Sequence, residues 1–359
     1  MPWSAFVKRW RRDGTGVVRT LARAVDGLLE ATVVGSFTRI GISVRRRLER
    51  WGDPPRVDGA SFVVTGASSG IGRAAAVELA RLGGAVWLVG RDPARTAEAA
   101  RSAAAGGHGP VRAVVLDVVD VEAVQSFADD LARSVPRLDG LVHGAGALLP
   151  RFRTAPDGTE LTVATHVLAP FRLTWLLAPL LRRGGRSAIV TVSSGGMYAE
   201  GFDLDRLEMP AARYRGATAY ARAKRAQVVL SHEWARRWGA DGVASHAMHP
   251  GWVDTPGLAS GLPSFTRLGR LLRTPSEGAD TAVWLAAGGP RSGGPAAEGG
   301  SGVAALEGFW HDRRRRREHR LPGTKPRAAD AASAGPRLWE WCAARTGVGL
   351  GPGGPVPPA

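Results

Sequence analysis

Between Ser61 and about Gly289 the chain repeats one pattern: a short apolar run, a turn, then an Ala/Leu-rich helical stretch. The runs are SFVVTG, AVWLVG, RAVVLDV, LDGLVHGAGA, SAIVTVSS and GVASHAMHPGW. Between and after them come IGRAAAVELARLGG, ARTAEAARSAAAGG, VEAVQSFADDLARSV, TELTVATHVLAPFRLTWLLAPLLRR, TAYARAKRAQVVLSHEWARRWG and SEGADTAVWLAAGG. Short β-branched runs bounded by glycines read as buried strands, and the longer periodic stretches as helices. Strict alternation leaves few topologies, because parallel strands need right-handed crossovers that stack helices on both faces. The expectation is a Rossmann-type doubly wound parallel sheet in three α/β/α layers. Such sheets bind ligands at the C-terminal ends of their strands. Two stretches interrupt the rhythm at those ends, residues 197–215 and 256–274, and are the candidate substrate loops. The long fourth helical stretch holds Pro170 and Pro179 and is expected to be kinked or interrupted.

The first turn reads Thr65-Gly66-Ala67-Ser68-Ser69-Gly70-Ile71-Gly72. Glycines allow a tight turn and a close backbone approach, and a helix N-terminus offers phosphate its free N–H groups and positive dipole end. In this strand–turn–helix setting a dinucleotide site is expected, with Gly66, Ser68, Ser69, Gly70, Ile71 and Gly72 around the pyrophosphate. The spacing G-x-x-x-G-x-G differs from the general G-x-G-x-x-G fingerprint. The second strand ends Gly90-Arg91-Asp92. An NAD site usually places an acid at this strand end for the ribose 2′-hydroxyl, whereas a guanidinium suits a 2′-phosphate. Arg91 therefore favours NADP(H) over NAD(H). The competing reading makes Arg91 one more surface arginine and gives Asp92 the acidic role. After the third strand, Asp117, with Val118 beside it, is a candidate adenine contact or a cap for the next helix.

Of 48 basic residues only Lys8, Lys224 and Lys325 are lysines, and the tyrosines number three. Tyr220 and Lys224 lie four apart on a helical stretch and so share a face. A phenol with its ordinary pKa near 10 is a poor proton shuttle, and a nearby ammonium is expected to lower that value. Tyrosine can then act as acid towards a carbonyl being reduced, or as base towards an alcohol being oxidised. Lysine is a compact donor that can pass on a proton, which arginine does not do. Ser194, at the end of SAIVTVSS, is the candidate to hold the substrate oxygen, with Ser193 as the alternative. The competing reading is an amphipathic helix with an incidental pair.

Taken in order, these motifs resemble the short-chain dehydrogenase/reductase family. TGASSGIG is similar to its cofactor loop, Ser194 to its catalytic serine, and Tyr220-Ala-Arg-Ala-Lys224 to its Tyr-x-x-x-Lys pair. His249-Pro250-Gly251-Trp252-Val253-Asp254-Thr255 resembles its Pro-Gly loop. The resemblance implies cofactor contacts at Pro250, Gly251 and Val253, with Thr255 at the carboxamide end of the nicotinamide. It spans about residues 59–290. A closer likeness, to one branch with bacterial members, is carried by VSSGGM, YARAKRAQVVL, HPGWVDTPG, GADTAVWLA and GFWHDR, and by GSFTRIGISVRRRLERW near the N-terminus. The resemblance implies an oxidoreductase moving hydride between nicotinamide and a carbonyl or alcohol, in a retinoid-, steroid- or lipid-like substrate. It also implies pairing of copies through the helices carrying Tyr220 and residues 160–182. Two positions depart from the family. Gly144, a cofactor contact by position, stands where the family has asparagine. His166 stands where the family has an asparagine that orders a water linked to the lysine. Histidine can hydrogen-bond and titrate near neutral pH, so His166 is expected as a fourth catalytic residue in the relay. The same departures motivate a rival reading, a non-catalytic sensor or scaffold that keeps the fold.

The length of 359 residues suits one large α/β domain with extensions, drawn at 1–58, 59–310 and 311–359. The net charge is +16, and each flank carries about +6 of it. The densest run, Asp312 to Arg317, reads as a solvated surface, and the Gly/Pro-rich end as disordered. Trp3, Phe6, Trp10, Phe37 and Trp51 lie among the N-terminal arginines, which makes residues 1–58 a candidate for peripheral contact with an anionic membrane. No recognition motif accompanies the charge, so nucleic acid is not the expected partner. One cysteine, Cys342, excludes an intramolecular disulfide and a cysteine zinc site, and no metal is expected. That usage suits a cytoplasmic location. The N-terminus lacks the apolar core of a signal peptide, and no run of about 18 apolar residues suggests a bilayer span.

Overall fold

The structure, a computed structural model, describes residues 22–261, 263–289 and 307–348. Strands β1 (Ser61–Thr65), β2 (Ala85–Gly90), β3 (Val111–Val115), β4 (Gly140–His143), β5 (Ala188–Val192), β6 (Ala244–Met248) and β7 (Glu307–His311) run parallel. β8 (Arg314–Arg315) returns antiparallel beside β7. The order is β3-β2-β1-β4-β5-β6-β7-β8. The chain reverses direction across the sheet between β1 and β4, which opens a crevice at the strand C-termini. β4, β5 and β6 are buried throughout, as strands covered on both faces must be.

The helices are α1 (22–31), α2 (Val33–Phe37), α3 (Arg39–Leu48), α4 (Gly70–Arg81), α5 (Pro93–Gly106), α6 (Val121–Ser134), α7 (Leu161–Val163), α8 (Ala169–Arg183), α9 (Gly216–Trp238), α10 (Pro256–Gly261), α11 (Pro275–Ala286) and α12 (Ala328–Thr346). Small and branched side chains of α4, α5 and α11 pack one face of the sheet around Leu79, Ala99 and Val283. α6, α8 and α9 pack the other around Phe127, Leu177 and Leu230. Local signals set the boundaries. Asp92 caps α5 ahead of Pro93, and Thr274 with Glu277 forms a capping box on α11. The long stretch Leu161–Arg183 is apolar enough to cross a membrane, yet it is mostly buried against the sheet and its neighbours. Its break is a π turn at Ala164–Leu168 rather than a proline kink. Pro170 follows directly on the π turn, in backbone that is already helical, and leaves the His166 carbonyl without a helical N–H, and Pro179 is carried inside the helix.

The flanks differ from the sequence expectation. The basic run is solvated only in part: Arg315 and Arg317 are exposed, Arg314 and Arg316 half-buried, and Asp312 and Arg313 buried. Asp312 and Arg313, both with φ near 52°, make the tight turn between β7 and β8, so the boundary drawn at 310/311 falls inside a hairpin. The buried Asp312 carboxylate lies 2.5 Å from Arg45 and 2.6 Å from Arg273. Asp26 accepts from Arg45, Arg314 and Arg316, and Arg313 pairs with Asp280. These ion pairs hold two non-glycine residues in the left-handed region, which is otherwise unfavourable. They also clamp α1–α3 onto the last strands.

The aromatics expected at a membrane divide. Phe37 is buried among Tyr198, His249, Trp252 and His311. Trp51 lies under the Arg313 guanidinium. Trp3, Phe6 and Trp10 lie outside the described residues, as do residues 349–359. The face expected to pair copies is also occupied. α12 lies along α9, and Trp339 packs against Phe171, Trp175 and Trp238.

Candidate active site

The turn after β1 is closed by contacts that only glycine allows. Gly66 and Gly70 have φ of 67° and 55°. A Cβ on Gly72 would lie 2.5 Å from the Gly66 carbonyl oxygen, and one on Gly66 would lie 2.6 Å from that of Gly144. Gly144 donates its N–H to Thr65 Oγ1 at 3.1 Å. A Cβ there would meet the Thr65 carbonyl oxygen at 2.7 Å, so the asparagine of the family pattern does not fit this backbone. Ser69 caps α4 without a side-chain bond, which leaves the first-turn N–H groups facing the loop. Gly70 and Thr255 approach so closely that a Cβ would sit 3.1 Å from Thr255 Cγ2. The phosphate loop and the Pro-Gly loop are therefore one rim. Val253 is held behind it by Gly278 of α11, with Ile71 alongside. Pro250 and Gly251 are fixed by Arg273, which donates to the Pro250 carbonyl at 3.1 Å. The rim has what a dinucleotide needs: a glycine cradle and an uncapped helix N-terminus. A cavity of about 700 Å³ opens on the outer side of this loop, bordered by Ser68, Ser69, Arg73 and Arg95. Its walls do not include Ser194, Tyr220 or Lys224.

At the end of β2, a side chain on Gly90 would meet Thr96 Oγ1 at 2.5 Å and Ser68 Cβ at 2.9 Å. An acid has no room there. The Asp92 carboxylate is committed to the Arg95 N–H at 2.9 Å. Arg91 between them is exposed. Asp117 closes a turn by accepting from Val119 N at 3.2 Å. It does not cap α6, a task that falls to Asp120. Val118 is packed against the α6 and α8 core.

β5, the π turn and α9 bring the proposed catalytic side chains together. Ser193 and Ser194 leave the strand in opposite directions. Ser193 Oγ donates to the Lys224 carbonyl at 2.9 Å and is buried. Ser194 Oγ stays beside Tyr220, accepting from Gly196 N at 3.1 Å. Lys224 Nζ lies 5.4 Å from the Tyr220 ring centre. It donates to the Val192 carbonyl at 2.8 Å and to Gln227 Oε1 at 3.1 Å. Burial pulls its pKa down to about 7. The expected depression of Tyr220 by this lysine is absent from the chain alone. Burial raises the phenol above its ordinary value, and the nearby Ser194 hydroxyl only partly opposes that. The lysine is turned towards other acceptors.

His166 also departs from expectation. Its Nε2 bonds the Ala147 carbonyl at 3.1 Å, and its Nδ1 is buried with no partner. The ring stands edge-on to Tyr220, 5.3 Å between centres. Burial and the Lys224 charge hold its pKa well below 6.5, so the imidazole is neutral near pH 7 and does not titrate there. The His166 atom that reaches towards Lys224 is the backbone carbonyl, through Gln227 Nε2 at 2.9 Å. Sequence reasoning missed Gln227. It also missed Phe37, whose ring lies 2.6 Å from where a Cβ on Gly195 would stand, at the back of the Ser194 turn.

A glycine-cradled loop at a β1/β4 crevice, in a fold that also brings Ser194 after β5 close to Tyr220 and Lys224 of α9, is the arrangement of a dinucleotide-binding α/β protein. The sequence profile of the short chain dehydrogenase family matches residues 61–262. "Dehydrogenase/reductase SDR family member 12" of Bos taurus is 39% identical over 235 residues, 64% of this chain and 73% of that protein. Human "Retinol dehydrogenase 14" is 35% identical over 293 residues, 75% of this chain and 86% of that one. A crystal structure from Beutenbergia cavernae aligns with a TM-score of 0.53 at 31% identity, covering 65% of this chain and 91% of its own. That protein is described as a candidate NAD(P)-dependent gluconate 5-dehydrogenase with NADP bound at low occupancy. The chain belongs to the short-chain dehydrogenase family and is an oxidoreductase acting on CH–OH or C=O groups.

Proposed function

We propose that the protein is an NADP(H)-dependent reductase or dehydrogenase of a lipophilic carbonyl/alcohol pair. The observation that carries this reading is the cluster of Ser194, Tyr220 and Lys224 beside a cofactor rim whose β2 end offers Arg91 and no free acid. The nicotinamide supplies or accepts the hydride. Gly66 to Gly72 and the first turn of α4 bind the pyrophosphate, and Arg91 binds the 2′-phosphate. Ser194 holds the substrate oxygen beside the Tyr220 hydroxyl, which gives or takes the proton. The chain leaves that phenol above its ordinary pKa, so the protonated acid is its resting form near neutral pH. Support for a lipophilic substrate comes from apolar contacts made by the segment after the Pro-Gly loop. Trp252 packs edge-on against Phe265 at 5.0 Å, and Gly261 closes on Leu148. The likeness to a retinol dehydrogenase agrees with it.

Calorimetric titration with NADPH and NADH tests the cofactor reading. NADPH should bind at least about tenfold more tightly, and Arg91→Asp should remove that margin, as loss of a charge-assisted contact implies. Equal affinities in the wild type overturn the preference. Binding of neither moves the rival scaffold reading to the front. A second reading, contact of α1–α3 with an anionic membrane, is favoured by the exposed Leu28, Val33, Val34 and Ile40 beside Arg39, Arg46 and Arg47.

A further inference from the structure

Lys224 is a buried amine with three positions around its nitrogen. Two of them are filled by the Val192 carbonyl and Gln227 Oε1. Both of these oxygens only accept. The Gln227 amide cannot turn over, because its Nε2 donates to the His166 carbonyl at 2.9 Å, and reversal would face oxygen to oxygen and NH2 to ammonium. Gln227 is itself 1% exposed, so no solvent competes for these bonds. When Lys224 is neutral, its two hydrogens go to the two acceptors, and its lone pair is left in the third position. When it is charged, the third hydrogen stands there instead. Proton gain and loss are thereby confined to one side of the nitrogen.

We propose that Gln227 is a positioning residue of the active site: by anchoring to the π-turn carbonyl of His166, it fixes Lys224 so that the lysine exchanges its proton through one open position only. The proposal rests on the oxidoreductase reading for its purpose, but its geometry stands on the chain alone. The π turn acquires a role from it, since that turn carries the carbonyl that locks the amide, while the His166 ring stays neutral. Such turns recur at functional sites.

The test uses the full-length protein without cofactor. The chain has three lysines, Lys8, Lys224 and Lys325, so lysine labelled with ¹³C at Cε gives few NMR signals, and Lys224→Arg assigns the one of interest. In the wild type that signal should titrate near pH 7, where burial places it. Gln227→Leu removes an acceptor that favours the charged form, so the midpoint should fall by about one unit. Gln227→Glu replaces the amide by a carboxylate and should raise it by about one unit or more. Midpoints within about 0.2 of wild type in both folded variants overturn the proposal, as do shifts of the same sign. Circular dichroism reports folding. If the leucine variant does not fold, Gln227→Met takes its place: it fills the space without an amide acceptor, so a midpoint at the wild-type value in that variant overturns the proposal. Failure here leaves NADPH binding untouched, and failure of NADPH binding leaves the titration standing, so the two readings are judged separately.

Discussion

Tyr220 was legible in the sequence because its partner was. A lysine at i+4 on a helix, in a chain that otherwise uses arginine, points to a side chain needed for its proton. The choice between Ser193 and Ser194 was not legible. Neighbours at a strand end point to opposite faces, and only the fold shows which one meets α9. The electrostatics were not legible either. Burial decides that Lys224 sits near 7, that His166 stays neutral and that the Tyr220 phenol is raised rather than lowered. Gln227 was invisible because its meaning depends on a carbonyl in a π turn far away in the chain. If Tyr220 is the proton donor, Tyr220→Phe should reduce turnover by at least about 10³-fold, within the range for loss of a general acid. The ring and its packing are kept, so the NADPH dissociation constant should stay within about threefold. Steady-state kinetics on a lipophilic ketone or aldehyde, with calorimetry in parallel, checks both parts. Undiminished turnover in this variant removes the mechanism.

The elements that follow the βα rhythm were readable one by one, because each strand run ends in a turn that opens a helix. β7 was not. GFWHDR follows a Gly/Pro/Ser-rich stretch rather than a helix, and it pairs in the sheet through β6, whose edge no local pattern reveals. α9 is tied to this late strand by His232. Its Nε2 lies 2.6 Å from the Glu318 carboxylate and its Nδ1 3.6 Å from that of Glu307. Burial opposes the charge, but the two carboxylates outweigh it and push the imidazole up to about 10. A pKa raised on folding contributes stability that is complete below the unfolded value, near 6.5, and is lost as pH rises through about 10. Thermal melts should therefore show the midpoint falling between pH 7 and pH 10. His232→Gln should start lower at pH 7 and show a shallower fall over the same range. Parallel curves for the two proteins would mean that the ion pairs form no proton linkage.

At the scale of the molecule, the basic flanks were read as solvated, and the structure pairs many of their arginines with acids inside the fold, which leaves the net charge at +16. Composition counts charges but does not show which of them find an acid in the fold. Asp312 is the centre of that network, and the Arg45 and Arg273 guanidinium groups hold its carboxyl far below the usual carboxylate range. Its contribution is present above about pH 4 and is lost only as pH falls through the depressed value. Asp312→Asn takes the carboxylate from the buried Arg273 guanidinium, while Arg45 keeps Asp26 and Glu30, and should cost about 3 kcal/mol in urea unfolding at pH 7. Deleting residues 1–57 would remove Phe37 and Arg45 together, so truncation is a poor test of the membrane reading. Point changes on the outward face are better. Leu28 is 73% exposed, and Val33, Val34 and Ile40 are each about half exposed, on helices that also carry the exposed Arg47 and the acid-paired Arg39 and Arg46. An apolar ridge among arginines suits an anionic interface, where each basic residue adds about 1 kcal/mol near the surface. The full-length protein should co-sediment with phosphatidylserine-containing vesicles at physiological salt and much less with purely zwitterionic ones. Val33→Glu with Val34→Glu should abolish that binding while leaving the melting temperature and NADPH affinity in place, because neither side chain is buried. Absence of binding to anionic vesicles, or binding that the paired substitution does not change, would return these helices to a purely structural role, that of holding Phe37 and Arg45 against the last strands.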